Sequence, residues 1–142
     1  MARIVFGLAR EKSTTGAYSL LLNDYETEGD ILDLVALDAD GEVVVAVEAE
    51  RSNNDRYTSV PDDFDKMAAC EPDHALWVVM HRDGAHDVLN ALNNPTDGEP
   101  RVEKTYASGT PSSQFTIDTE GLTEIATISR VQTAIEDGES LW

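Results

Sequence analysis

The sequence predicts an α/β (α+β) fold, a mixed central sheet with flanking helices. Three observations lead there. Two runs rich in β-branched residues, 31–38 and 42–49, flank Asp40-Gly41, a strong two-residue hairpin signal. A third run, His74–His81, is apolar without alternation, as a strand buried on both faces should be. Apolar residues at helical spacing follow the second and third runs, at Phe64, Met67 and Ala68 and at Ala85, Val88, Leu89 and Leu92. With 142 residues and 41% apolar content, the chain suits one domain, 1–142, around one core.

The elements follow in order. Segment 3–9 suits either a strand or a short helix, and 12–16 is a polar turn. Segment 17–22 predicts a strand and 23–29 an acidic loop. After the hairpin, 52–60 reads as polar loop, and Pro61 opens a helix with Asp62 and Asp63 in its first turn. Pro72 stops that helix. Asp83 caps the next one, and Asn93-Asn94-Pro95 ends it. Residues 96–113 form a loop around a short strand at 101–107. Leu122, Ile125, Val131 and Ile135, with Gly138 beyond, predict a helix over 122–136.

Charge narrows the function. There are 28 Asp and Glu against 10 Lys and Arg, for a net charge of −18. That excludes an ordinary basic nucleic-acid binder. The acids are spread along the whole chain and only Lys12, Lys66 and Lys104 are lysines, which points to a surface adapted to molar salt. An acidic interaction face, such as a DNA mimic, is the other reading, whereas patterned apolar segments argue against disorder. No apolar run is long enough to span a bilayer, and Ile4–Ala9 is too short for a signal-peptide core, so a cytoplasmic protein with no membrane partner is expected. The single Cys70 excludes a disulfide framework and a CxxC metal site.

One feature of the hairpin carries chemistry. Strands normally avoid acids, yet Asp33, Glu48 and Glu50 interrupt apolar runs. If Asp40-Gly41 is a two-residue turn, Ala39 pairs with Glu42 and Asp33 stands opposite Glu48. Alternation then puts Asp33, Glu48 and Glu50 on one face and Val43, Val45 and Val47 on the other. A three-residue loop would break that register. Carboxylates about 5 Å apart repel each other unless a cation sits between them, and a hard divalent ion suits such a site.

Asp33, a spacer of 14 residues, and Glu48-Ala49-Glu50 resemble the PD-(D/E)xK, or restriction-endonuclease-like, nuclease superfamily. The run Val45–Ser52 followed by Arg56-Tyr57 is especially similar to the E-x-E variant in plasmid and mobile-element proteins. The resemblance covers about residues 17–92, implies an αβββαβ core there, and leaves 96–142 as an extension. It implies Asp33, Glu48 and Glu50 as metal ligands for Mg2+ or Mn2+, hydrolysis of DNA phosphodiesters, and a homodimer as one assembly state. Two residues depart from the pattern: Leu32 replaces its Pro and Glu50 replaces its Lys. Some members carry the missing charge on the neighbouring helix, where Lys66 is the sole lysine; Arg51 and Arg56 are alternative sources, and Arg82 adds to a local basic patch.

Blander accounts stand beside these. Asp33 can cap a strand end, Glu48 and Glu50 can face salt water, and Lys66 can lie on a solvated helix face. His74, His81 and His86 lack the spacing of a zinc site. Cys70 has no nucleophile context, the serines no GxSxG setting, and no phosphate-binding glycine loop is present. Trp77 reads as core. The sequence therefore supports a metal-dependent nuclease or a nuclease-derived domain from a halophilic organism, its plasmid or virus. The alternative is a non-catalytic DNA- or protein-binding accessory factor on the same scaffold, or a structural protein.

Overall fold

The computed structural model describes residues 20–27, 30–50 and 55–141. The segments 3–9 and 12–16, together with Arg51, lie outside the described residues. Five strands form one sheet in sequential order: β1 (Leu20–Thr27), β2 (Asp30–Leu37), β3 (Val43–Glu50), β4 (His74–Val79) and β5 (Glu124–Thr127). The first three form an antiparallel meander, and β4 and β5 add in parallel. Parallel addition needs crossovers. Helix α1 (Arg56–Ala69) joins β3 to β4, and α2 (Arg82–Asn93) begins the path to β5, after which α3 (Ile128–Asp137) closes the chain. The fold is thus a mixed sheet with flanking helices.

The helices divide between two faces. Val60, Phe64 and Met67 of α1 and Ala85, Val88 and Leu89 of α2 pack with Val35, Ala46, Ala75, Trp77 and Val79. On the opposite face Leu34, Val45, Val47, Leu76 and Val78 pack with Val131 of α3. Central β4 is therefore buried on both sides, which accounts for its unbroken apolar run. Trp77 is fully buried, and its indole N–H donates to the Gly121 carbonyl at 2.8 Å. A side chain at 121 has no room, since a Cβ there would stand 2.7 Å from the Phe64 ring. Among the described residues no helix is long and apolar enough to cross a membrane.

Five boundaries differ from those the sequence predicts. Helix α2 starts at Arg82 with His81 as its N-cap, so Asp83 lies inside the first turn and does not cap it. Strand β1 runs on to Thr27, because antiparallel pairing with β2 carries the acidic stretch along. Helix α1 starts at Arg56 instead of Pro61. Pro61 has no N–H to give to the Tyr57 carbonyl one turn back, and the N–H of Thr96 supplies that bond at 2.9 Å instead. No strand forms at 101–107. The Arg101 N–H donates to the Leu92 carbonyl at the end of α2, and Tyr106 stacks on Phe115 at 4.3 Å. The helix expected over 122–136 is a strand and a helix: Glu124–Thr127 pairs with β4, and the Thr127 hydroxyl then accepts from the Arg130 N–H at 3.2 Å to start α3.

Candidate functional site

The site begins at the β2–β3 hairpin. Its tip is a three-residue loop, Ala39-Asp40-Gly41, closed by the Asp38 N–H to the Glu42 carbonyl at 3.0 Å. The Asp38 carboxylate accepts from the N–H groups of Asp40 and Glu42, and Gly41 takes a φ of +83°, which glycine adopts without steric cost. Alone, this loop would slip the register by one residue. A β-bulge between Ala36 and Leu37, with Val44 as the extra residue, removes the slip, so that Ala36 faces Val45 and Leu34 faces Val47. The bulge also turns Val43 to the α1 face, away from Val45 and Val47, where plain alternation would have kept all three together.

Past Leu34 and Val47 the ladder gives way to side chains. The Asp33 carboxylate accepts from the Ala49 N–H at 2.8 Å, and the Asp33 N–H approaches Glu48 Oε1 at 3.4 Å. Asp33 and Glu48 are therefore cross-strand neighbours. Glu48 is only 5% exposed, the sole buried charged residue among those described.

Helix α1 brings a cation to this corner. Lys66 Nζ lies 3.8 Å from Glu48 Oε1 and 2.6 Å from Asp63 Oδ1, and it donates to the Ile31 carbonyl at 3.0 Å. Residues 63 and 66 share a helix face, so one face of α1 presents both an acid and a base to the sheet. Sequence reasoning placed Asp63 only in a helical first turn and missed its part in this cluster. The i, i+3 pairing with Lys66 was the available signal.

The electrostatics are those of too many acids for one ammonium. Burial, then Asp63 and Asp33, push the Glu48 carboxyl up from an ordinary 4.5 to about 8, against the pull of Lys66. The same causes in the same order lift Glu50 to about 7. Burial also raises Asp63, though its hydrogen bond to Lys66 opposes this. A further cation here would relieve repulsion on several groups at once.

The donor set limits what that cation could be. Among the described residues no group of three or more His, Cys, Asp or Glu is gathered to hold a metal ion. The expected trio of Asp33, Glu48 and Glu50 is thus not assembled as a cage. Asp33 and Glu48 alone fit a hard ion that keeps its waters, for Mg2+ is commonly bound through one or two carboxylates plus substrate phosphate.

Arg56 is not part of the cluster. Its guanidinium lies 3.7 Å from Asp87 and 5.3 Å from the Tyr57 ring, and it shares a cleft with Glu50. Arg82 is exposed at the start of α2. The His86 ring bonds the Thr110 carbonyl, and Cys70 is half-buried at the end of α1, both within the scaffold. Comparison with protein-family models, with characterised proteins and with solved structures gives no match.

Proposed function

We propose that the protein is a divalent-metal-dependent phosphodiesterase acting on DNA. The observation that carries this reading is the position of Lys66: an ammonium delivered from the helix after β3, 3.8 Å from Glu48, which lies beside Asp33. It answers the one strong departure of the E-x-E run from the nuclease pattern, the missing strand lysine. Strand order and direction through β4 are also compatible with the αβββαβ core that the resemblance implies.

Asp33 and Glu48 would hold the ion. When bound, Mg2+ or Mn2+ lowers the pKa of a water and offsets charge on a phosphoryl oxygen. Lys66 would orient the attacking water or stabilise the charge that develops on phosphorus, and Asp63 would hold Lys66 in place. Glu50, beside the same cluster, would accept a proton. Arg56, one cleft away, would meet the strand backbone but not the reacting atoms.

Calorimetric titration of Mn2+ beside a plasmid-nicking assay, both in molar KCl, tests the proposal. The expected result is weak binding and slow nicking, both lost in Asp33→Asn and Glu48→Gln. Lys66→Ala should slow nicking and leave Mn2+ affinity nearly unchanged. Folded protein with neither binding nor nicking overturns the proposal. Binding without nicking would instead favour an accessory factor on a degenerate nuclease scaffold.

A further inference from the structure

The C-terminal ends of β3 and β4 meet the first turns of α1 and α2 around a cleft of about 180 Å3. Its floor is apolar, built from the buried Val60, Val79 and Val88, and Met80 stands beside it 58% exposed. Its walls carry the carboxylates of Glu50, Asp83 and Asp87 against one guanidinium, that of Arg56, with the His81 ring at the edge. Arg56 pairs with Asp87 at 3.7 Å, which leaves Glu50 and Asp83 without an ion-pair partner among the described residues. The excess charge of the cleft is negative.

An acidic wall over an apolar floor fits a cation carried on an aliphatic stem. A bare metal ion fits less well, since among the described residues no three His, Cys, Asp or Glu are gathered to hold one. A guanidinium reaches acids set further apart, because its five N–H donors fan out in one plane. A second observation concerns what else the occupant brings. Arg56 Nε is buried and has no hydrogen-bond partner, so this wall of the cleft holds a donor in need of an acceptor. A free amine supplies none, whereas a peptide carbonyl does. Size sets the last limit: drug-sized ligands take pockets of about 300–1,000 Å3, so this cleft holds one side chain.

We propose that the cleft seats one arginine side chain from a basic, extended segment of a partner protein. Its methylenes lie along the valine floor and its guanidinium donates to Glu50 and Asp83. The backbone carbonyl beside it accepts from Arg56 Nε. Apolar neighbours in the segment cover Met80 and Tyr57, which are exposed beside the cleft, with the Tyr57 ring 5.3 Å from the Arg56 guanidinium. A net charge of −18 draws such a segment in, and the paired groups in the cleft fix where it docks. The proposal goes beyond the phosphodiesterase reading and stands without it.

Methyl-labelled full-length protein, free of divalent metal and at the lowest KCl that keeps it folded, provides the test. The probe is the peptide acetyl-Leu-Arg-Leu-amide. It should shift the Met80, Val79 and Val88 methyl signals and leave those of Val131, on the opposite face of the sheet, in place. The same peptide with citrulline for arginine keeps the shape without the charge and should bind about ten-fold more weakly, the order of one charged hydrogen bond. Agmatine, which has the guanidinium and stem but no carbonyl, should bind more weakly than the peptide. Asp83→Asn, at an exposed position, should weaken the peptide about ten-fold and leave the Val131 signals unchanged. Equal binding of citrulline, agmatine binding as tightly as the peptide, or no effect of Asp83→Asn each overturns the proposal. So does a shift of the same signals by Mn2+ at lower concentration, a response spread equally to Val131, or the absence of any shift. Because this readout needs neither metal nor cleavage, failure to nick DNA would sink the hydrolase reading alone, and failure to bind the peptide would sink the cleft alone.

Discussion

Replacing Glu48 by Gln tests the electrostatic account of the cluster directly. The amide keeps the shape of the carboxyl and can still accept from the Asp33 N–H, but it carries no charge. In the wild type the folded state holds a proton on Glu48 up to about pH 8, whereas an ordinary glutamate releases it near 4.5. The folded state thus binds more protons between these values, so stability is highest below 4.5 and is lost as pH rises through about 8. At about 1.4 kcal/mol per pKa unit the full loss is at most about 5 kcal/mol, an upper bound because Lys66 and neighbouring acids titrate with it.

Urea unfolding of both proteins at about pH 5 and about pH 9, at fixed molar KCl, measures the difference. Glu48→Gln should match or fall slightly below the wild type at the lower pH and exceed it by a few kcal/mol at the higher. Glu50, raised to about 7, leaves a smaller loss of the same sign in the variant. Mg2+ should recover stability of the wild type at the higher pH and have little effect on the variant, since binding to the folded state alone stabilises it. A variant less stable than the wild type at about pH 9 would refute the argument. It would mean that Lys66 and the Asp33 N–H compensate the buried charge in full.

Other predictions follow from the same contacts. Asp63→Asn removes the largest charge contribution to the raised Glu48 and Glu50, so the midpoint of the pH-dependent stability loss should move down; an unchanged midpoint would show that burial alone sets it. Gly121→Ala forces the Phe64 ring out of its position and should cost about 1–3 kcal/mol in urea unfolding, with quenching of Trp77 fluorescence altered as its Gly121 acceptor shifts. The thermal midpoint should rise from low to molar KCl, because 28 acids against 10 basic residues repel across a small surface. A midpoint unchanged or lowered by salt would remove the case for a halophilic surface.

The sheet centre was legible because burial leaves its mark on composition. β3 opens on the apolar run Val43–Val47 and β4 is apolar from Ala75 to Val79, and the α1 and α2 stripes lie at helical spacing, so tertiary packing and local pattern agree there. Agreement ends where one residue serves a distant partner. Pro61 looks like a helix start in sequence, yet its missing hydrogen bond is repaid by Thr96, 35 residues later, which no local pattern encodes. Likewise Ile125 fits a helical stripe with Leu122 and Val131, but the free edge of β4 takes it into a strand. For the site, the closeness of Asp33 to Glu48 was legible from hairpin register, whereas Lys66 was singled out only because the resemblance asks for a cation on the neighbouring helix, where it is the sole lysine. Asp63 was not, because a helical acid near an N-terminus already has a sufficient local reason to be there.

The hairpin shows why the right neighbours can follow from a wrong turn. A two-residue turn with plain strands and a three-residue loop with one bulge give the same pairing beyond Ala36, so both predict Asp33 beside Glu48. They differ between the loop and the bulge, where Val43 changes face and joins the α1 side. The second solution puts one more apolar side chain under α1 and adds local twist to the strand that ends at Glu48 and Glu50. Helix α1 carries the only ammonium within 4 Å of Glu48 among the described residues, that of Lys66 at 3.8 Å. Register, bulge and helix packing thus act on one distance, that between Lys66 and Glu48, and a change at the hairpin tip would reach the acids through the helix as well as through the strand.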